Sequence, residues 1–240
     1  MNARAAVVLV AALALAALTA RLGVWQLDRA DQKNTLQAAI EQRRALPALP
    51  VESLARDPQA LPAQLHRRVE LQGRWMAAAT VYLENRQMNG RPGFFVVTPL
   101  QLADGTAVAV QRGWQPRDLM ERTRVAPPPT PEGRVTLVGR IAPPPARLYE
   151  FGADAAGPIR QNLELAVYSR EAGVVLRPLS LLQLGDAAAT DGLLREWPAP
   201  AADVHKHYGY AFQWFALCAL TLGLYVWFQI LRPRRPRRRP

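Results

Sequence analysis

Two apolar stretches frame the chain, and each is long enough to cross a lipid bilayer. The first runs over Ala5–Ala20 with a single polar residue, and the apolar character resumes shortly after it. The second, Tyr208–Leu231, contains no charged residue in 24 positions. Because a bilayer core requires about 20 helical residues, the pattern predicts transmembrane helices over 5–26 and 207–231. A cleaved signal peptide is the alternative for the first stretch, and a buried core helix is the alternative for the second.

The pattern between the two stretches changes from helical to alternating. The first helix is expected to continue to about Arg44, because Leu36 and Ile40 lie on one helical face and the prolines that follow end it. Further on, apolar and polar residues alternate with period two, which is typical of half-buried strands, and Gly73 marks an expected bulge. The predicted strands cover 68–75, 80–86, 94–100, 107–111, 134–141, 174–176 and 179–184.

Turn residues and one short helix complete the predicted domain. The clusters at 90–93 and 103–106 are expected to be turns, and the second of them connects a hairpin. A helix is predicted over 163–172, with Asn162 as N-cap and Gly173 as C-cap. Many short strands with a lone helix indicate a mainly antiparallel β domain (α+β, barrel-like) over 27–206. The predicted fold class is therefore a membrane protein in which two transmembrane helices flank this extramembrane domain.

The charge of the chain is concentrated at its C-terminus. The formal net charge is +11, yet the stretch from Leu27 to His205 has 21 basic and 19 acidic residues. The excess lies in the tail over 232–240, where six arginines hold the C-terminus in the cytoplasm by the positive-inside rule. A tail of this kind favours a membrane-lipid anchor over a nucleic-acid arm. Two spans then place residues 1–4 in the cytoplasm and the main domain in the periplasm. Because no Arg-rich, Ser-rich transit peptide precedes the first span, a bacterial inner membrane is expected.

Composition excludes several classes of site. A single cysteine, Cys218, excludes an internal disulfide framework and a cysteine-based zinc site. Three histidines argue against an all-protein histidine metal cage. The chain has no nucleophile-elbow, zincin or phosphate-loop motif, so an enzyme is not expected.

A stripe of polar and aromatic side chains follows one face of the second apolar helix. At 100° per residue, His207, Tyr210 and Trp214 lie within one narrow sector. Cys218, Thr221 and Tyr225 continue the stripe. Polar groups in a membrane need partners, and the small residues Ala12, Ala16 and Ala20 make the first helix one candidate. A flat aromatic ligand such as haem is the other, with His207 as an axial iron ligand. The residues alone leave both interpretations open.

The run Arg112-Gly113-Trp114 follows a predicted strand and forms a second candidate cluster. The arginine and the tryptophan could together bind a carboxylate such as a haem propionate. In the alternative interpretation Arg112 pairs with a neighbouring acid and Trp114 packs in the core.

Four blocks of residues, in this order, carry a resemblance to a known family. They are 22–29 (LGVWQLDR), 90–100 (GRPGFFVVTPL), 110–116 (VQRGWQP) and 207–215 (HYGYAFQWF). With the two-span layout, the chain resembles the Surfeit locus protein 1 family, membrane proteins that assist assembly of cytochrome c oxidase.

The resemblance implies a chaperone for a haem-copper oxidase rather than an enzyme. It implies transient binding of haem a, with His207 as the axial ligand of the haem iron, and the catalytic subunit of the oxidase as a partner. A haem a synthase is a second candidate partner. Two alternatives stay open: a scaffold that holds oxidase subunits without binding haem, and a membrane-anchored periplasmic enzyme.

Overall fold

The computed structural model describes residues 3–118, 120–121, 124–149, 157–185, 191–197 and 203–232. The chain divides into two compact units, a helical unit of Met1–Ala39 with Ala199–Pro240 and a sheet unit of Ile40–Pro198. Of the predicted cytoplasmic ends, residues 1–2 and 233–240 lie outside the described residues.

The helical unit contains the two helices that the hydropathy pattern predicts. Helix α1 is continuous over Ala3–Ala45, so its predicted continuation past the apolar stretch is confirmed. The later helix runs over Val204–Tyr225 and continues through π-helical turns over Val226–Leu231. Both are long and apolar enough to cross a membrane. Their outward side chains leave large apolar surface uncovered, as at Val10 and Phe212, which are 66% and 75% exposed.

Small residues bring the two helices of this unit together. Ala16 and Thr19 are buried on α1. The Thr19 hydroxyl donates to the carbonyl oxygens of Leu15 and Ala16 in its own helix, so it needs no partner on the other helix. One turn further, Gly23 has no side chain, and a methyl group there would come within 2.8 Å of the Phe215 ring. Close approach of two apolar helices requires residues of this size at the interface.

The sheet unit is built from seven strands and two short helices within the part of the chain that the structure describes. Helices α2 and α3 cover Leu61–Gln64 and Leu165–Ala172, and the helix at Val204–Tyr225 is accordingly α4. The strands, in chain order, are β1 Arg68–Trp75, β2 Val81–Met88, β3 Arg91–Gln101, β4 Ala107–Pro116, β5 Arg134–Ala142, β6 Ile159–Arg160 and β7 Leu176–Gln183.

The strands form one mixed sheet in the order β1-β5-β7-β4-β3-β2-β6. The β4–β7 and β2–β6 pairs are parallel, and the other pairs are antiparallel. Strand β1 also meets β3, but only through the last two residues of each strand. The barrel-like prediction is therefore wrong in that the sheet is not a closed barrel, because the two strands pair only at these tips.

The local sequence patterns predicted most elements correctly, but they missed one helix cap, the length of one turn and the continuity of one strand. Gly105 has φ 80° in the predicted hairpin between β3 and β4, and Gly173 caps α3 in the left-handed conformation. Asn162 is not the N-cap of α3, which is Glu164, because the Asn162 amide instead holds the backbone of Leu148. The predicted turn at 90–93 is shorter, since β3 already begins at Arg91. The predicted strands at 174–176 and 179–184 are one strand, β7.

Gly73 is not a bulge, because the β1–β5 register runs through it without a shift. A Cβ atom at Gly73 would lie 2.4 Å from the carbonyl oxygen of Gln101. The glycine therefore permits close approach of the β3 backbone, which is the other reason for glycine inside a strand.

The main core of the sheet unit lies over strands β1, β5, β7 and β4. Most of its buried members come from these strands, Leu100 and Leu102 come from the end of β3 and the residue after it, and Leu54 and Ala55 pack with them. Leu71, Ile141 and Leu181 are each 0% exposed. Burial of side chains of this size stabilises the folded state by about 1.5–3 kcal/mol each.

Candidate functional site

The structure brings His207 of α4 together with Gln26 of α1. The two side chains meet with Nδ1 of His207 2.8 Å from Oε1 of Gln26. An amide oxygen only accepts hydrogen bonds, so Nδ1 donates and carries the proton. With the proton on Nδ1, a lone pair is left on Nε2 whenever the ring carries a single proton. Histidines that bind metal ions are commonly held in this way, with the distal nitrogen donating to an oxygen.

The stripe predicted along α4 faces α1 over most of its length. Trp214, Cys218, Thr221 and Tyr225 are half-buried, as is His207. The thiol of Cys218 donates to the carbonyl oxygen of Ala16 at 3.4 Å. The prediction that small residues of the first helix contact the stripe is therefore confirmed at Ala16.

Tyr210 departs from the rest of the stripe. Its side chain is 53% exposed, because it lies at the edge of the helix face. The neighbouring Tyr208 is anchored instead, since its hydroxyl accepts a hydrogen bond of 3.1 Å from the amide of Asn34. The Tyr210 ring is thus accessible on the surface of α4, and Trp214 is half-buried.

Arg112 and Trp114 belong to the sheet unit, so the five predicted site residues are divided between the two units. Strand β4 has a bulge at this point: Val96 pairs with Gly113, and Val97 pairs with Gln111. Arg112 is the extra residue between them. A bulge re-aims the side chain of its extra residue, and here the guanidinium group is directed into a polar cluster instead of following the alternation of the strand.

The guanidinium of Arg112 is almost fully buried and has several partners. It donates to the Thr130 hydroxyl at 2.7 Å and to the carbonyl oxygen of Pro129 at 2.8 Å. It also stacks over the Trp75 ring at 4.9 Å from the ring centroid, which is the geometry of a cation–π contact. Asp191 lies 3.7 Å away. The interpretation in which Arg112 pairs with an acid therefore agrees with the structure, although the acid is distant in sequence.

Asp191 is shared unequally between two arginines. Arg195 holds both carboxylate oxygens, at 3.2 and 2.5 Å, whereas Arg112 approaches one of them at 3.7 Å. The side chains of all three residues are at most 9% exposed. Burial lowers the pKa of the Arg112 guanidinium, and the Asp191 carboxylate opposes that shift. The Arg112 guanidinium is thus held by two neutral oxygen acceptors and by the longer of the two contacts with Asp191.

Trp114 packs in the core. It is 0% exposed, and its indole N–H donates to the carbonyl oxygen of Arg86 at 2.9 Å. Its backbone N–H and carbonyl pair with Leu194. A ring in this position has no surface left for a ligand, so the packing favours the core interpretation of Trp114, and a role in binding a cofactor stays a prediction.

The residues that sequence reasoning missed are the partners of the predicted ones. Gln26 lies inside the block at 22–29 that carried the family resemblance, yet nothing local assigns it to His207. Trp75 was predicted only as the end of a strand, and Asp191 had no signal. Each acquires its role through contact with a residue far away in the chain.

Comparisons with known proteins identify the family of this chain. The SURF1 family model matches residues 13–219. A SURF1-like protein of Rickettsia bellii is 26% identical over 212 residues, which cover 85% of this chain and 83% of the relative. The yeast cytochrome oxidase assembly protein SHY1 is 31% identical over 94 residues, or 39% of this chain and 24% of the relative. Because the family match covers most of the chain, including most of α1, the sheet unit and the His207 end of α4, the protein belongs to the SURF1 family.

Proposed function

We propose that this protein is an assembly factor for a haem-copper cytochrome c oxidase. Membership of the SURF1 family supports this role, as does the similarity to a yeast protein named for cytochrome oxidase assembly. The catalytic subunit of the oxidase is the proposed partner, and a haem a synthase is a second one. The protein acts by holding and releasing cargo rather than by catalysis.

The proposed location is a bacterial inner membrane, with two spans, both ends in the cytoplasm and the sheet unit in the periplasm. Uncovered apolar side chains along α1 and α4 support insertion, since apolar patches of this size are costly in water. The arginines of the tail support the orientation. A reporter enzyme that works only in the cytoplasm is expected to be active when it is fused after residue 240. Activity at the same position of a reporter that works only in the periplasm would overturn the topology.

The proposed cargo is haem a, with Nε2 of His207 as one axial ligand of its iron. The observation that carries this assignment is the hydrogen bond from Nδ1 of His207 to Gln26. It fixes the ring orientation, and it leaves the Nε2 lone pair available for a metal. The half-exposed Tyr210 ring and the Trp214 ring supply flat apolar surface on the same part of α4. One protein ligand with an open opposite side suits a carrier, because cargo can leave without several bonds breaking together.

The test compares three variants made in cells that synthesise haem a. His207→Ala is expected to lose most of the haem a that purifies with the wild-type protein, while remaining in the membrane fraction. Gln26→Leu keeps the ligand but loses its orienting partner, so haem affinity is expected to fall about 10-fold or more. His205→Ala is the matched control: this histidine is exposed, lies two residues earlier on α4 and should leave haem content unchanged.

The absorption spectrum of each purified protein gives the haem content and identifies the haem. Wild-type haem content in His207→Ala would refute the ligand assignment. A wild-type protein that supports oxidase assembly while binding no haem a would favour the scaffold without haem.

A further inference from the structure

The sheet unit contains a cavity that the proposed haem site does not use. Its volume is about 400 Å³, and its wall includes Trp75, Arg112, Thr130, Thr136, Gln183 and Asp191. Proline, valine and leucine side chains line the remainder. This volume and this mixture of apolar surface with a few polar groups are typical of small-molecule sites in proteins.

The charges at the cavity favour a singly charged anion. Two guanidinium groups, Arg112 and Arg195, face one carboxylate, Asp191, which gives a local balance of +1. Arg195 engages both carboxylate oxygens, so Arg112 has the weaker ion pair and donates its hydrogen bonds to neutral oxygens. A cation that is 3% exposed and only partly paired is costly. A ligand with one negative charge would remove that cost, whereas a dianion would be repelled by Asp191.

Polar atoms at the cavity also lack partners. The Nε of Arg112 and the Oε1 of Gln183 are buried and have no hydrogen-bond partner in the described part of the chain. Buried polar atoms in folded proteins are nearly always paired. Both atoms belong to residues of the cavity wall, and the strand bulge directs Arg112 there. The strand bulge therefore places Arg112 in the cavity wall, with its Nε still unpaired.

We propose that this cavity binds a small organic monocarboxylate, with the carboxylate against Arg112. A planar carboxylate matches the planar guanidinium, which forms paired hydrogen bonds with such groups. The face of Trp75 and the neighbouring apolar walls receive the body of the ligand. Thr136 provides a hydroxyl group in the cavity wall, whereas the Thr130 hydroxyl already donates to Pro128 and accepts from Arg112. The site is independent of His207, so it stands whether or not the protein carries haem.

The carboxylate could come from two sources of the same chemistry, a free small acid or the propionate arm of a tetrapyrrole. The full-length protein in detergent is titrated with benzoate and hexanoate, with benzamide and hexanamide as uncharged controls of the same shape. Binding is followed by saturation-transfer NMR of the probe. If a porphyrin dicarboxylate displaces benzoate and its dimethyl ester does not, the propionate arm of a tetrapyrrole is the source of the carboxylate. Saturable benzoate binding without such competition assigns a free acid.

Two substitutions locate the binding without touching Arg112. Thr136→Trp fills the cavity from an exposed position on β5. Benzoate affinity is then expected to fall about 10-fold or more, because the charged hydrogen bonds to the carboxylate can no longer form. Gln72→Trp is the matched control, since Gln72 is also exposed, pairs with Thr136 across the β1–β5 ladder and does not line this cavity. His207→Ala should bind benzoate as the wild type does.

The proposal is supported if both carboxylates bind saturably, the amides do not, and Thr136→Trp alone loses binding. It is overturned if the wild-type protein binds neither acid, if amides bind as well as acids, or if Thr136→Trp binds benzoate like the wild type.

Discussion

Replacing Asp191 by asparagine removes the one carboxylate that faces Arg112 and Arg195. The substitution keeps the size and the hydrogen-bonding oxygen of the side chain, so packing is preserved and the change is mainly electrostatic. Asp191 is 9% exposed, and its two partners are 3% and 5% exposed. In the variant two buried cations face each other without a counter-charge.

The size of the effect follows from distance and burial. Opposite charges 3.7 Å apart, as for Arg112 and Asp191, attract by about 4.5 kcal/mol at an effective dielectric constant of about 20. The Arg195 contact is shorter and adds to this, while the desolvation of Asp191 is recovered in the variant. Breaking a buried ion pair by removing one partner costs about 3–5 kcal/mol. We expect Asp191→Asn to lower the free energy of unfolding by that amount.

Urea unfolding of the full-length protein in detergent, followed by tryptophan fluorescence, measures this free energy. Glu171→Gln is the control, because it also replaces a carboxylate by an amide. Its partner is Arg160, and the Glu171 side chain is 45% exposed. A surface pair of this kind contributes about 1 kcal/mol or less. Equal losses in the two variants would refute the reasoning from burial.

The same variant also tests the cavity. Without Asp191 the local charge rises from +1 to +2, so a bound carboxylate meets stronger attraction. Asp191→Asn is therefore expected to bind benzoate more tightly than the wild type, although the free protein is less stable. Weaker binding to a variant that is still folded would contradict the assignment of the charge balance.

Two further predictions concern the stability of the sheet unit. Burial, with the charges of Arg140 and Arg43, lowers the pKa of His66 below its usual 6.5. As the pH drops, His66 therefore takes up a proton in the unfolded chain before it does so in the folded protein. The free energy of unfolding should fall as the pH drops from about 6.5 towards the folded pKa. In the His66→Asn variant the asparagine tolerates the positive φ of 70° and does not titrate in this pH range. Its urea midpoint should therefore change less between pH 7.5 and 5.5 than that of the wild type. An equal change in the two proteins would rule out His66 as the cause. Gly139→Ala places a methyl group 2.3 Å from the buried Leu181 side chain and should cost about 1–3 kcal/mol. In a Leu181→Ala background the same methyl enters vacated space, so a double-mutant cycle should give a favourable coupling, and strictly additive losses would show that the two side chains do not collide.

Sequence patterns predicted the elements of this protein well, because each element depends on local periodicity. A long uncharged stretch such as Tyr208–Leu231 can be a helix in lipid whatever lies around it. Alternation over 68–75 and 134–141 predicted β1 and β5 nearly to their ends. The stripe on α4 was also predictable, since helical geometry alone places His207 and Trp214 on one face.

Tertiary structure decided which residues meet, because those contacts join segments far apart in the chain. The parallel pairing of β4 with β7 and the tip contact of β1 with β3 are choices of sheet order that no local pattern encodes. The bulge at Arg112 is a mismatch of register between two strands, so it exists only once they pair. This bulge directs Arg112 into the wall of the cavity, where Asp191 and Trp75 join it from distant segments of the chain.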